Sequence, residues 1–252
     1  MGCSPQVKMH LETDKYKNHD ELIAAIRAAG VESMRCVLFL DFSASNKRSG
    51  LHHPGGLVPT PYQKVIQILE PVLKQFDDQK IVYAYRFGCI DTQDHSVCPL
   101  FGANAECDGF ENLDHAYRDA CDTVEMSGPT TFTHCIAKCI EIEKQLGGKQ
   151  LIVCVIVTDG TVTDEEEDIK QLYNASKYPI SFVGIGVGPG PFGILEKFDD
   201  QLRSKFDNFQ FVNMNEIDQV AETANNPQVV LSTAVFNELP EQFKAMKKKK
   251  YL

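Results

Sequence analysis

Short apolar runs alternate along the chain with longer segments whose apolar residues recur at helical spacing. The runs at 35–41, 151–157 and 180–187 are apolar on both faces, which is typical of strands covered on both sides. Residues 81–87 and 209–212 indicate two further strands. This alternation predicts a doubly wound α/β fold, in which helices flank a mostly parallel central sheet. The helical segments are 18–29, 65–73, 113–124, 135–146, 163–177 and 230–247.

Local signals set some of the boundaries between these elements. Thr163 with Glu166 has the spacing of a capping box, which predicts that a helix starts at Thr163. The segments 42–60 and 88–109 are rich in polar and turn-forming residues, so we expect loops there, with one edge strand near Val97. Neither segment has a clear helical or strand period.

Charge and composition narrow the classes of partner. The 252 residues hold 35 acidic and 25 basic side chains, for a net charge of −10, which argues against a surface that binds nucleic acid. No apolar run reaches the ~18 residues of a membrane span, and the N-terminus has no secretory segment. We therefore expect a cytoplasmic protein whose nine cysteines are mostly reduced thiols. A single domain over 19–246 would lie between an arm, 1–18, and a basic tail, 247–252.

Oxygen-bearing side chains follow two of the buried strands. Asp41, Ser43 and Ser45 come after the first strand at alternate positions, and Asp159 follows the most apolar strand. Thr130 lies between them, just before a helix. Because ligands bind beyond the carboxyl ends of the strands in such folds, we expect these five to converge. Two carboxylates and several hydroxyls suit Mg²⁺, or less sharply Mn²⁺ or Ca²⁺.

Other interpretations of the same residues carry less weight. Ser, Thr and Asp after a strand often only cap helices or form turns. An aspartyl-phosphate nucleophile at Asp41 would need a second acid where Ser43 stands. The glycine-rich loop at 184–190 is a weak nucleotide-binding signal, no P-loop is present, and without a C-x-x-C pair a structural zinc site is not favoured.

The same motifs resemble a known family. D-x-S-x-S at Asp41, the later G-x-T and the strand ending in T-D-G are similar to the metal-ion-dependent adhesion site of von Willebrand factor A domains, whose fold is Rossmann-like. The wider context resembles the copine type, which also occurs in plant RING ligases, and covers roughly 19–245. The segments that match by type and order are DFSASN, RFGC, CDGFENLDHAYR, GPTTF, VTDGTVTD, PISFVGIGVGPGPF and FDNFQFVN.

The resemblance implies roles for the candidate residues. Ser43, Ser45 and Thr130 would contact the metal, while Asp41 and Asp159 would orient and charge the site, partly through water. An acidic residue of a protein partner would complete the coordination. The implied function is a non-catalytic protein-binding module, a scaffold or signalling adaptor. The alternative is a structural subunit of a larger assembly, such as a cytoskeletal one, with an incidental metal site.

Other parts of the family do not carry over. Copines have two C2 domains before this module and the related ligases a RING after it; these 252 residues contain neither, so we carry over neither calcium-dependent lipid binding nor ubiquitin transfer. We see no pair of general base and nucleophile in the sequence and therefore expect no enzymatic activity. His52 and His53 follow the first metal motif, where they are candidates for the binding face or for partly buried loop residues.

The two ends of the chain point to a membrane surface. Gly2 and Cys3 resemble a dual acylation signal, although Gln6 departs from the usual Ser or Thr. The lysines at 247–250 would add attraction to an anionic leaflet, or simply suit a helix C-terminus. We therefore expect a membrane surface as a second partner, and we expect the protein to be associated with a membrane or with the cytoskeleton.

Overall fold

A seven-stranded sheet forms the centre of the computed structural model, which describes residues 15–148, 150–160, 162–201 and 206–252. The apolar runs that predicted strands all lie in it, because each can bury both of its faces only between two layers of helices. The strands are β1 (Met34–Asp41), β2 (Ile81–Phe87), β3 (Cys98–Pro99), β4 (Glu106–Asp108), β5 (Leu151–Thr158), β6 (Ile180–Gly186) and β7 (Phe209–Asn213).

The strand order is β3-β2-β1-β5-β6-β7, and β4 also pairs with β2. All neighbours from β2 to β7 along this order are parallel, whereas β3 and β4 run antiparallel to β2 at the edge. The predicted doubly wound, mostly parallel α/β fold is confirmed. β1 lies between β2 and β5, so the order of strands reverses there, and ligand sites are expected beyond its carboxyl end.

Helices cover both faces of this sheet. Alternate residues of β1 divide between two cores: Cys36, Leu38 and Leu40 face one, and Val37 and Phe39 face the other. Six helices pack on the first core: α1 (His19–Ala28), α3 (Pro61–Leu73), α4 (Gly109–Thr123), α8 (Met214–Ala221), α9 (Pro227–Phe236) and α10 (Leu239–Lys248). The second core holds α5 (Thr133–Gln145), α6 (Glu165–Ala175) and α7 (Gly193–Gln201).

Several predicted helix boundaries are wrong: α3 starts at Pro61 rather than at residue 65, and α4 starts at Gly109 rather than at residue 113. Asp164, not Thr163, caps α6, by accepting a hydrogen bond from the amide of Glu167 at 3.0 Å. The Thr163 hydroxyl instead donates to the carbonyl of Thr130. The single final helix is in fact α9 and α10, because the chain turns before Pro240, whose ring fits only the first turn of a helix.

Three helices were not predicted: α7, α8 and a short α2 (Ala44–Ser49) within the expected 42–60 loop. The α2 helix has few apolar residues, so it gives no helical period, but it ends at Gly50, whose φ of 66° is the left-handed conformation of a helix terminus. The expected edge strand is β3, which starts one residue after Val97. At the C-terminus, Tyr251 and Leu252 pack against the first core.

Candidate metal centre

The turn after β1 brings three of the predicted residues together. The backbone amide of Ser43 donates to Asp41 Oδ1 at 2.8 Å, which folds the chain back on the carboxylate. Ser43 then stands at the N-cap position of α2, so Ser45 follows in its first turn. The two serine hydroxyls are 2.9 Å apart. The D-x-S-x-S spacing thus gathers one carboxylate and two hydroxyls at the end of β1.

The neighbouring strand β5 adds the second carboxylate. Ser45 Oγ donates to Asp159 Oδ1 at 2.8 Å, although the two residues are 114 positions apart. Thr158, the last residue of β5, donates from its hydroxyl to Asp41 Oδ2 at 2.6 Å. The ends of β1 and β5 are therefore joined side chain to side chain, as their parallel pairing in the sheet allows.

Thr130 lies near Asp41, with Gly88 between their side chains. Gly88 follows β2 with φ of 74°, and a methyl group added to it would lie 2.6 Å from Thr130 Cγ2 and 3.1 Å from Asp41 Oδ1. The side chains of Thr130 and Asp41 thus flank one glycine. The chain before Thr130 is held there because the amide of Ser127 donates to the carbonyls of Phe42 and Gly88.

Burial of the two carboxylates makes their charge costly. Burial, together with the nearby charge of Asp159, raises the pKa of Asp41 to about 6, although hydrogen bonds from Thr158 and Ser43 act in the opposite direction. Burial also raises the pKa of Asp159, against its hydrogen bond from Ser45. Asp41 is 2% exposed and Asp159 5% exposed. A cation between such groups would favour their charged forms.

The donor set fits a hard divalent cation. It consists of carboxylate and hydroxyl oxygens, the ligand class of Mg²⁺, Mn²⁺ and Ca²⁺ rather than of zinc. Within the described ranges, no three His, Cys, Asp or Glu side chains converge on one point. A metal here would depend on Ser43, Ser45 and Thr130 as much as on the two carboxylates.

The structure separates the two histidines. His52 is 4% exposed, as the alternative of a buried loop residue expects, although it also lines a surface cavity together with His53. Its ring stacks between Phe42 and Tyr62 at centroid distances of 4.3 and 4.1 Å. His53 is exposed and lines a surface cavity of about 360 Å³ with Lys47.

His52 holds the backbone of the candidate metal centre in place. Its Nε2 lies 2.8 Å from the carbonyl of Asp41, and its Nδ1 lies 3.0 Å from the Tyr117 hydroxyl. Burial lowers the pKa of His52 to about 4, so the ring is neutral and donates from Nε2 to the carbonyl. The stacked ring fixes the backbone from which the Asp41 carboxylate projects.

The sequence did not identify the residues that hold the candidate metal-binding side chains in place. Asn46 is fully buried, donates to Ser43 Oγ at 3.1 Å and accepts from the Tyr62 hydroxyl at 2.7 Å. Asn46, Gly88 and Thr158 all lie within motifs that resemble the family, at positions given no role. Their residue types fit the contacts, but only the fold shows which atoms meet.

The acidic run at the start of α6 contains a further structural residue. Asp168 is fully buried and accepts hydrogen bonds from the hydroxyls of Thr131 and Thr133, at 2.7 and 2.8 Å, and from the amide of Phe132. It therefore fixes the start of α5 just after Thr130. The rest of the run, Glu165–Glu167, lies in the first turn of α6, where acidic side chains stabilise the helix dipole.

Comparison with known proteins settles the family. The sequence model described as Copine matches residues 50–252. The chain belongs to the copine family. The resemblance to the copine-type von Willebrand factor A domain is thereby confirmed. The residues proposed to hold metal lie partly before and partly within the matched region.

Relatives of this copine-family chain differ widely in length. It is 34% identical over 252 residues to E3 ubiquitin-protein ligase RGLG3 of Arabidopsis thaliana, covering 92% of this chain and 68% of the relative. It is 34% identical over 244 residues to Copine family protein 2 of Caenorhabditis elegans, covering 92% of this chain and 3% of the relative. The activities of those whole proteins are therefore not assigned to the chain.

A solved structure supports the fold of this copine-family domain. The manganese-loaded TRAP protein of Plasmodium vivax matches with a TM-score of 0.50 and 14% identity, over 73% of this chain and 70% of that one. At this identity the likeness concerns the fold. Among the described helices, none is long and apolar enough to cross a membrane. Gly2 and Cys3, the candidate acylation sites, lie outside the described residues.

Proposed function

We propose that the chain is a protein-binding module that uses a divalent metal to engage an acidic residue of its partner. The observation that carries the proposal is the convergence of Asp41, Ser43, Ser45 and Asp159 where the strand order reverses. These residues lie at or just after the ends of two neighbouring strands and are linked by hydrogen bonds. A structural turn would need only the first of these contacts.

The chemistry of the ligands favours a metal that still attracts an anion. Both oxygens of Asp41 already accept hydrogen bonds, from the Ser43 amide and the Thr158 hydroxyl. The hydroxyls of Ser43 and Ser45 are neutral ligands. A divalent ion held largely by neutral oxygens keeps part of its charge, which a partner's carboxylate can neutralise. Mg²⁺ is the proposed ion, with Mn²⁺ or Ca²⁺ as substitutes.

The loop anchored under the site offers apolar surface to a partner. His52 holds one end of this loop against the Asp41 carbonyl, and Thr60 caps α3 at the other end. Between them, Leu57 and Val58 are fully or largely exposed. Adjacent exposed aliphatic side chains cost hydration free energy that contact with a partner would recover.

Affinity purification of the intact chain tests this function. We expect the co-purifying partner to be retained in Mg²⁺, released by EDTA and lost with Asp159→Ala. Asp119→Ala is the matched control, because Asp119 is an exposed carboxylate on α4. Partners unaffected by EDTA and by Asp159→Ala would refute the metal bridge. Recovery only in an insoluble, metal-independent assembly would favour the structural-subunit alternative.

Acylation at the N-terminus is a separate proposal about location. It rests on the residue types of Gly2 and Cys3, and one acyl chain gives only marginal membrane binding whereas two anchor stably. We expect Gly2→Ala to move the protein from the membrane fraction to the supernatant after cell fractionation. An unchanged distribution would contradict acylation as the cause of membrane association.

A further inference from the structure

The helix that carries the metal candidate Ser45 also carries two exposed cations. Lys47 and Arg48 lie in the last turn of α2, a helix that contains no acidic side chain. The whole chain has 35 acidic and 25 basic residues, so this short helix is basic in an acidic protein. Cations suit a helix C-terminus, which accounts for their charge but not for the side of the helix on which each of them lies.

Arg48 lies beside the candidate metal centre. It is three positions after Ser45, and residues with this spacing are neighbours on the surface of a helix. The Ser45 hydroxyl donates to Asp159 Oδ1 at 2.8 Å, so Arg48 lies on the side of α2 that faces this carboxylate. Burial raises the pKa of Asp159, and the charge of Arg48 is among the effects that oppose this. In the described part of the chain, the exposed guanidinium forms no hydrogen bond or ion pair.

Lys47 is the contrasting cation of the same helix. It is two positions after Ser45, and residues with this spacing do not face each other. Lys47 instead lines the surface cavity of about 360 Å³, where the exposed acidic side chains of Asp122 and Glu125 offset its charge. Loss of either cation changes the net charge of the chain equally. A comparison of the two therefore separates the effect of position from the effect of charge.

Arg48 has opposite effects on the two expected ligands of the site. Its charge repels a divalent cation held by Ser45 and Asp159, and it attracts a carboxylate that approaches the same side. A site that only held a metal would gain nothing from this arginine. A site that binds an acidic partner gains from it, because a planar guanidinium donates two parallel hydrogen bonds to a carboxylate.

We propose that Arg48 binds a second acidic side chain of the partner, next to the one that reaches the metal. This inference rests on the proposed function, because it requires a carboxylate at the metal. Helix neighbours such as Ser45 and Arg48 have Cβ atoms about 5 to 6 Å apart. In an extended segment, alternate side chains lie on the same face and are about 7 Å apart. The partner segment is therefore extended and has acidic residues at alternate positions.

Two capped glycine peptides test the proposal on the intact chain loaded with Mn²⁺. One contains a single glutamate and the other contains two glutamates at alternate positions. Binding is measured as the displacement of water from the bound ion, by proton relaxation. The two-glutamate peptide should bind the native chain at least about fivefold more tightly, of which about twofold is the statistical gain of two equivalent carboxylates. Arg48→Gln should reduce this ratio to about twofold, Arg48→Lys should retain part of it, and Lys47→Gln should leave it unchanged.

Metal binding by the same variants separates this inference from the metal bridge. Arg48→Gln should bind Mn²⁺ as tightly as the native chain or up to about fivefold more tightly, because a repelling charge is removed. Weaker Mn²⁺ binding would overturn the proposal, since Arg48 would then support the metal site itself. An unchanged peptide ratio in Arg48→Gln, or an equal loss in Lys47→Gln, would overturn the proposal and leave the metal bridge intact. Absence of Mn²⁺-dependent binding of both peptides would contradict the metal bridge and, with it, this proposal.

Discussion

Gly88 offers a quantitative test of how tightly the candidate metal centre is packed. An added methyl group would lie 2.6 Å from Thr130 Cγ2, 3.1 Å from Asp41 Oδ1 and 3.2 Å from the Ser43 amide nitrogen. All three distances are shorter than the 3.4 Å at which ordinary van der Waals contact begins, and the Ser43 contact is to backbone. Gly88→Ala should therefore displace the residues proposed to hold the metal.

The expected cost has two parts. A φ of 74° is unfavourable by roughly 1 to 2 kcal/mol for a residue with a side chain. Forcing a methyl group into a packed site adds about 1 to 3 kcal/mol. Gly109 isolates the first part, because its φ is 80° but nothing lies within 4 Å of the added methyl group. Gly88→Ala should then lower the free energy of unfolding by about 2 kcal/mol more than Gly109→Ala.

Urea unfolding of the native chain and both variants measures this difference. The midpoints should shift in the order native, Gly109→Ala, Gly88→Ala, with unchanged slopes. If Gly88→Ala is no more destabilising than Gly109→Ala, then Thr130 and Asp41 do not pack around Gly88 as described. The convergence of the site would then have to be abandoned.

Two other substitutions test carboxyl groups, one partly buried and one fully buried. Burial, followed by the charges of Asp199 and Asp207, raises the pKa of Glu238 to about 7, so its ionisation costs stability as pH rises from 4.5 to 7. In urea unfolding near pH 4.5, Glu238→Gln and the native chain should have the same free energy of unfolding. At pH 8 the variant's free energy of unfolding should be higher by about 1 kcal/mol, a value reduced for the partial exposure of Glu238. Equal free energies at both pH values would contradict this. Asp168→Ala should lower the free energy of unfolding by about 3 kcal/mol, because hydrogen bonds to Thr131, Phe132 and Thr133 are lost together. A decrease below about 0.5 kcal/mol would refute the role of Asp168 in fixing the start of α5.

The sheet and the metal motif were predictable for the same reason. Strands β1, β5 and β6 are buried on both faces, so nearly every residue is apolar and the signal is local. The positions of Asp41 and Asp159 follow from the ends of those strands and from the parallel order. Residue type and position in the sequence were therefore enough to predict that the two carboxylates lie close together.

Features that depend on contacts distant in sequence were not predictable. The sequence left open whether His52 is buried or at the binding face, because the rings of Phe42 and Tyr62 that stack on it come from other parts of the chain. The start of α6 shifted by one residue because the Thr163 hydroxyl donates to Thr130, 33 positions away. In each case the alternative partner comes from another element, and a local pattern carries no information about it.

Metal binding to the intact chain tests the central claim most directly. Titration with Mn²⁺, followed by the electron paramagnetic resonance signal of the free ion, counts the bound ions. We predict one Mn²⁺ per chain, displaced by excess Mg²⁺, retained in Asp119→Asn and lost in folded Asp159→Asn protein. Absence of binding by the native chain, or binding that Asp159→Asn leaves unchanged, would contradict the account.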